Sequence, residues 1–372
     1  MQSSATIDVN LSQAGALGNE LLQRLNVIRE HDGVYWSDAS QCWLITRHEE
    51  LVRALNDEFP LSLDRLIHVT LPSVPVDQRL QRYPLMMRYM QNWIINLDPP
   101  AHTRVRKLVM AAFNRKVVEN LRPYVRERVA TLMQRLETAD GAIEFNEEIA
   151  RPLPGSVILK LLGLPAENLP RLRGWATAFV EAVAVPGVSD DALQRFEDAL
   201  ADMNGLLSAE IEKRRVEPQD DLLSALVRAT EDGDRLSMDE MLGALHVLVV
   251  AGHDTTASSM TMGLATMIAH PESWAYLYTH PEKTLDCVIE LARHMAMATS
   301  QPRFVLDDFE WNGKPIKRGQ VVFLMLAAGN RDPRVFPEPE KLDFERRNDR
   351  SLTFAPGAHH CIGHLVAKLQ LT

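Results

Sequence analysis

The segment from Ser237 to His270 keeps a helical period throughout and is apolar on most sides. It opens with Ser237-Met238-Asp239-Glu240, a capping-box pattern, and stops at Pro271. At about 1.5 Å per residue such a helix spans roughly 50 Å, the width of a whole domain. A helix this long without a wide polar face must be covered by the rest of the chain. The fold is therefore expected to be built around one central buried helix.

The remaining pattern agrees with a mainly α chain. Val117 to Leu136 and Asp191 to Arg215 also read as helices. Two places break the helical period. Val34-Tyr35-Trp36 and Cys42 to Thr46 flank the turn residues Ser37 to Ser40, as in a β-hairpin. Phe304 to Trp311 runs into Asn312-Gly313, a type I′ turn signal, and Val321 to Leu326 supplies another strand. Prolines at 99, 100, 337 and 339 mark ordered turns, and no repeat or linker divides the chain. One domain over residues 1–372 is expected, mainly α with a small β region.

Charge and cysteine usage exclude several function classes. Asp and Glu number 50 against 40 Lys and Arg, a net charge of −10, which argues against a nucleic-acid footprint. The three cysteines, Cys42, Cys287 and Cys361, form neither a CxxC pair nor an even disulfide framework. The N-terminal residues lack the basic and apolar regions of a secretory signal. The longest near-apolar run, Val321 to Gly329, is far shorter than the ~20 residues that cross a bilayer. A cytoplasmic protein with no membrane association is expected.

The residues that carry chemistry cluster near the C-terminus, in Phe354-Ala355-Pro356-Gly357-Ala358-His359-His360-Cys361-Ile362-Gly363. A lone cysteine is usually a small buried hydrophobe. Cys361, however, follows a Pro-Gly loop and precedes a helical run from His364 to Leu371. Free amides at a helix start favour a thiolate. A thiolate held in a rigid loop is what axial ligation of haem iron requires.

This decapeptide fits F-x-x-G-x-H-x-C-x-G and resembles the cytochrome P450 family of haem-thiolate monooxygenases. Other motifs of that family occur in order along the chain. Ala251-Gly252-His253-Asp254-Thr255-Thr256 lies inside the long helix. Alone, Gly252 would only be a weak point costing about 1 kcal/mol. The resemblance implies that Gly252 lets haem and O2 approach, and that Asp254 and Thr255 deliver protons. Thr255 is also placed to hydrogen-bond the carbonyl of Ala251. Glu290-Leu291-Ala292-Arg293 would on its own be a solvated i,i+3 pair. The resemblance makes Glu290 and Arg293 a buried structural network with a later arginine, Arg346, with Arg347 the alternative. Asp98-Pro99-Pro100-Ala101-His102-Thr103-Arg104-Val105-Arg106 matches D-P-P-x-H-x-x-x-R. His102 and Arg106, one helical turn apart, are then partners of the haem propionates, with Arg303 and His359 as further candidates.

The resemblance implies haem b as cofactor and insertion of one oxygen atom from O2 into a hydrophobic small molecule, by hydroxylation or epoxidation. No FMN- or NAD-binding motif is visible, so electrons are expected from a separate ferredoxin or flavodoxin. Lys107, Arg115, Lys116, Arg346, Arg347 and Lys368 are candidates for a basic docking patch. The methionine-rich stretch Tyr83 to Met90 reads as core filler or as part of the substrate wall. The chain ends at Thr372, while the family continues beyond this helix. The alternative expectation is thus a truncated or non-turnover haem protein that binds a small molecule or serves as a scaffold.

Overall fold

The computed structural model describes residues 7–13, 18–64, 74–183, 188–231, 234–295 and 297–372. The chain divides into two compact units. The first comprises Met1–Pro72, Val185–Gly187 and Thr266–Cys361; the second comprises Ser73–Ala184, Val188–Ala265 and Ile362–Thr372.

The first unit is organised by a five-stranded sheet, in the order Val34–Ser37, Cys42–Ile45, Val321–Leu324, Gln301–Val305, Leu61–Ser62. The expected hairpin is present, with Ser37 paired to Cys42 and Val34 to Ile45. Cys42–Ile45 then pairs in parallel with Val321–Leu324, and the other neighbours are antiparallel. Both faces of the sheet are covered, which explains why Cys42–Ile45 is apolar at every position. Trp43 and Ile45 pack with Leu51, Val322 and Leu324 on one side. Cys42 and Leu44 pack with Leu25, Ile28 and Met325 on the other.

The strand expected over Phe304 to Trp311 is two strands, Gln301–Val305 and Phe309–Trp311. Between them Leu306 donates its N–H to Pro60 O, and Asp308 accepts the Arg318 N–H at 2.9 Å. These bonds turn the chain out of the sheet. Phe309–Trp311 instead forms a hairpin with Lys314–Ile316. Its turn residues Asn312 and Gly313 both have positive φ, 50° and 78°, as a type I′ turn demands.

Among the described residues, the second unit is helical apart from the hairpin of Thr230–Glu231 and Asp234–Arg235. The long helix is Met238–Ala269, of 32 residues, and belongs to this unit up to Ala265. The capping box closes in both directions: Ser237 Oγ accepts the Glu240 N–H at 3.2 Å, and Glu240 Oε2 accepts the Ser237 N–H at 2.8 Å. Close packing sets its sequence as well. A Cβ on Gly243 would lie 2.6 Å from the Asn92 carbonyl oxygen, so no other residue fits there. The methionine-rich stretch forms two short elements, Pro84–Tyr89 and Met90–Asn92, with Met86, Tyr89 and Met90 buried. Glu197 holds the first of these by accepting the Leu85 and Met86 N–H groups at 2.6 and 2.9 Å. No described helix is long and apolar enough to cross a membrane.

Candidate active site

The cysteine loop is fixed by its own backbone. The Cys361 N–H donates to Phe354 O at 2.9 Å, and the His360 N–H donates to Gly357 O at 3.1 Å. Gly357 has φ +83°, and a Cβ there would overlap the Leu55 carbonyl at the end of helix His48–Leu55. Glycine is required on both counts. Helix His364–Leu371 starts three residues after Cys361, where the sequence places it. Burial pushes the thiol of Cys42 up to about 12 and that of Cys287 up to about 11, so both are inert packing residues. Cys361 alone of the three is only half-buried.

Behind this loop lies a buried ion network. Glu290 and Arg293, on helix Thr284–Met295, are both fully buried. Arg293 Nε and Nη2 donate to Glu290 Oε2 and Oε1 at 2.7 and 2.8 Å, the bidentate geometry that suits guanidinium to carboxylate. Glu290 Oε1 also accepts from Arg346 Nε at 3.2 Å and from the Asp343 N–H at 3.0 Å. Of the two arginines proposed by sequence, Arg346 is the one that reaches Glu290. Its remaining N–H groups go to the carbonyls of Pro337, Glu338 and Lys341. So engaged, Arg346 is not a free surface cation and drops out of the candidate docking patch.

The network reaches the loop through a residue that sequence reasoning passed over. Arg293 Nη1 donates to Asn330 O at 2.8 Å, and Asn330 Oδ1 accepts the Leu352 N–H at 2.7 Å. Leu352 O in turn accepts the Ala355 N–H. Asp332, two residues on, accepts the His48 N–H at 3.0 Å, while His48 Nε2 bonds Arg350 O at 2.8 Å. A buried Asn-Arg-Asp run directly after the apolar segment Val321 to Gly329 was the available signal, since buried polar groups need partners. Arg303 sits in strand Gln301–Val305, is buried, and donates to Pro302 O and Gln301 Oε1. Phe354 and His359 are half-buried in the loop itself.

In the second unit, His102 lies in the first turn of helix Ala101–Ala112 and is buried, with Arg106 half-buried one turn later. Burial, reinforced by the charge of Arg106 and opposed by Asp98, holds the His102 ring below its ordinary pKa, so it is neutral near pH 7. On the long helix, Val249, Val250, His253, Thr256 and Ala257 are buried, whereas Ala251 and Thr255 are exposed. Thr255 Oγ1 donates to Ala251 O at 2.7 Å, as its position predicts, and Ser259 Oγ repeats the pattern onto Thr255 O at 2.7 Å. A Cβ on Gly252 would meet Ile158 Cδ1 at 3.2 Å, so this glycine serves the packing of the long helix on Pro152–Leu162.

Comparison with known proteins decides the family. The cytochrome P450 family model matches residues 179–286 and 284–372. The chain is 38% identical over 280 residues to the cytochrome P450 monooxygenase PikC of Streptomyces venezuelae, covering 74% of this chain and 65% of that protein. It is 32% identical over 333 residues to the mycinamicin IV hydroxylase/epoxidase of Micromonospora griseorubida, covering 89% of this chain and 79% of the relative. Among solved structures, the bacillaene polyketide synthase cytochrome P450 PksS of Bacillus subtilis 168 superposes with TM-score 0.83 at 29% identity, covering 96% and 87% of the two chains. The chain belongs to the cytochrome P450 family.

Membership makes this P450 an oxidoreductase of the haem-thiolate monooxygenase class, dependent on haem, O2 and a redox partner. Its residues fit that group. One thiol, Cys361, is left accessible while the other two are buried. The long helix is buried or half-buried through Val250 and leaves small and hydroxylic residues open at 251 and 255. Among the described residues no cluster of three His, Cys, Asp or Glu offers a competing metal site.

Proposed function

We propose that residues 1–372 act as a single haem-centred P450 that hydroxylates or epoxidises a hydrophobic small molecule in the cytoplasm. The carrying observation is the Cys361 loop: a half-buried thiol whose backbone is tied, through Asn330, to a fully buried ion network. Haem b, held by the Cys361 thiolate, would supply O2 activation and oxygen-atom insertion. His102, Arg106, Arg303 and His359 are the residues proposed for its propionates, with Phe354 against the ring. Arginine suits that role through charge-assisted bonds to carboxylate.

Asp254 and Thr255 would handle protons. Thr255 Oγ1 gives its proton to Ala251 O, so its lone pairs are open to accept from water or a protonated carboxyl. Rotation about one bond then lets it donate outward. Electrons would come from a ferredoxin or flavodoxin. Polyketides are the first substrate class to try, because the polyketide biosynthesis cytochrome P450 PksS is among the relatives. No observation favours the non-turnover alternative.

The test is the absorption spectrum of the haem-loaded, reduced protein under CO. The parent protein is expected to show the long-wavelength band of thiolate ligation, and Cys361→Ala to lose it. A Cys361→Ala protein that kept the band would overturn the ligand assignment.

A further inference from the structure

The residue between Gly252 and Asp254 has no part in the reading above, yet it is placed against the acid. The ring of His253 is fully buried, and its Nδ1 lies 3.0 Å from Asp254 Oδ1. An ionised carboxylate only accepts, so in this contact the proton is on Nδ1. The other ring nitrogen, Nε2, is buried and bonds nothing. The ring occupies the space that Gly155 leaves open on helix Pro152–Leu162, where a Cβ would come within 3.2 Å of His253 Cδ2 and 3.5 Å of Nε2. Leu169 Cδ1 would crowd the same Cβ at 2.5 Å.

A residue here for packing alone would be cheaper as leucine or phenylalanine, because a buried acceptor without a donor is costly. What histidine adds is one directed bond, to Asp254 Oδ1. Among the described residues no other side chain bonds that carboxylate. Neighbours in sequence point about 100° apart around a helix, so the bond fixes a side chain that would otherwise rotate freely. Asp254 is only partly exposed, 21% for its side chain. The bond takes one carboxylate oxygen and leaves Oδ2 for exchange.

We infer that His253 is a positioning residue: its Nδ1–H holds the Asp254 carboxylate in one orientation for proton delivery. This rests on the role given to Asp254 above. A wedge of Gly155, Leu169 and His253 thus connects helix packing to the placement of the acid.

Four variants test it: His253→Leu, His253→Asn, His253→Gln and Asp254→Asn. Asn puts an amide donor near the Nδ1 position, and Gln puts one near Nε2. In the haem-loaded protein, His253→Leu should leave haem content and the reduced-CO band unchanged. It should lower product formed per electron pair consumed by roughly tenfold, the low end of what one hydrogen bond to a charged group is worth. It should also raise the solvent isotope effect on turnover. His253→Asn should restore most of the loss and His253→Gln should not. If the Leu variant fails to load haem, the Asn–Gln contrast carries the test. Equal Asn and Gln variants, or an undiminished Leu variant beside a damaged Asp254→Asn, overturn the positioning role and leave Asp254 in place. An undamaged Asp254→Asn overturns the role of Asp254 itself. A readout independent of turnover is urea unfolding of His253→Leu, Asp254→Ala and the double variant. The two effects should be non-additive if the bond exists; strict additivity sinks the inference.

Discussion

The Glu290 network and the middle of the long helix are both polar, the first buried and the second open at Thr255, and they satisfy their polar atoms in opposite ways. Glu290 is bonded by Arg293 one turn along its own helix, and by Arg346 and the Asp343 N–H, which reach it from another segment. On the long helix the hydroxyls turn back on their own helix, Thr255 to Ala251 O, Ser259 to Thr255 O and Thr261 to Ala257 O, with Thr261 also reaching Asn146 Oδ1 at 3.2 Å. A cross-segment network fixes where a loop sits, because no member can move without leaving another buried and unpaired. A back-bond can be exchanged by one rotation without disturbing the fold. The first arrangement suits the support of a ligand-bearing loop, and the second suits groups that must move protons.

If that contrast holds, Arg293→Ala should be the most damaging change. It strips the fully buried Glu290 of its bidentate partner, and breaking such a pair costs about 3–5 kcal/mol. Urea unfolding should show that loss, together with poor haem retention. Arg293→Lys should recover little, since an ammonium cannot reproduce the fork to Glu290 and reach Asn330 O. A loss below about 1 kcal/mol would mean the network is ornamental to stability.

A buried histidine of the long helix also bonds across segments, and it supplies the second test. His246 is fully buried, with Trp93 Nε1 donating to its Nδ1 at 3.4 Å and Nε2 facing Asn204 Oδ1 at 2.8 Å. Burial pushes its pKa down to about 3 from the ordinary 6.5. A depressed histidine contributes stability that is complete above the ordinary value and is lost as pH falls from there toward the folded value. Between pH 7 and pH 4.5 the protein should therefore lose on the order of 2 kcal/mol through this group. His246→Gln, which cannot titrate, should flatten that acid limb in urea unfolding. An unchanged limb would assign the acid sensitivity elsewhere.

Gly357→Ala should cost about 1–3 kcal/mol from its strained positive φ, and the Cβ against the Leu55 carbonyl adds to that. The check is thermal unfolding alongside haem content. Because the strain falls within the cysteine loop, haem content should drop more than unfolding temperature does.

Local signals were readable in the sequence, and non-local pairings were not. Ser237 and Glu240 announced a capping box that closes both ways, and Asn312-Gly313 announced a turn whose two residues have positive φ. Each depends on side chains within four residues of one another. The parallel pairing of Cys42–Ile45 with Val321–Leu324 joins segments far apart in the chain, and nothing local encodes it. The same holds for Asn330, whose carbonyl and amide serve Arg293 and Leu352, and for the choice of Arg346 over its neighbour Arg347. Phe304 to Trp311 looked continuous because its apolar alternation runs through Asp308. The bonds from Arg318 and Lys317 to that carboxylate are visible only in the folded chain.

The smallest stability effect is expected at Thr255, the residue with the largest proposed part in proton delivery. Its hydroxyl bonds only the carbonyl of Ala251, which the helix already supplies with a backbone N–H, and the side chain is exposed. Removing it orphans no buried group. Alanine also has the better helix propensity, so Thr255→Ala should unfold within about 0.5 kcal/mol of the parent in urea. A loss like that of Arg293→Ala would mean that Thr255 is held as tightly as the Glu290 network. Its hydroxyl would then not be free to exchange partners, and the contrast between the two regions would fail at the residue where it matters most.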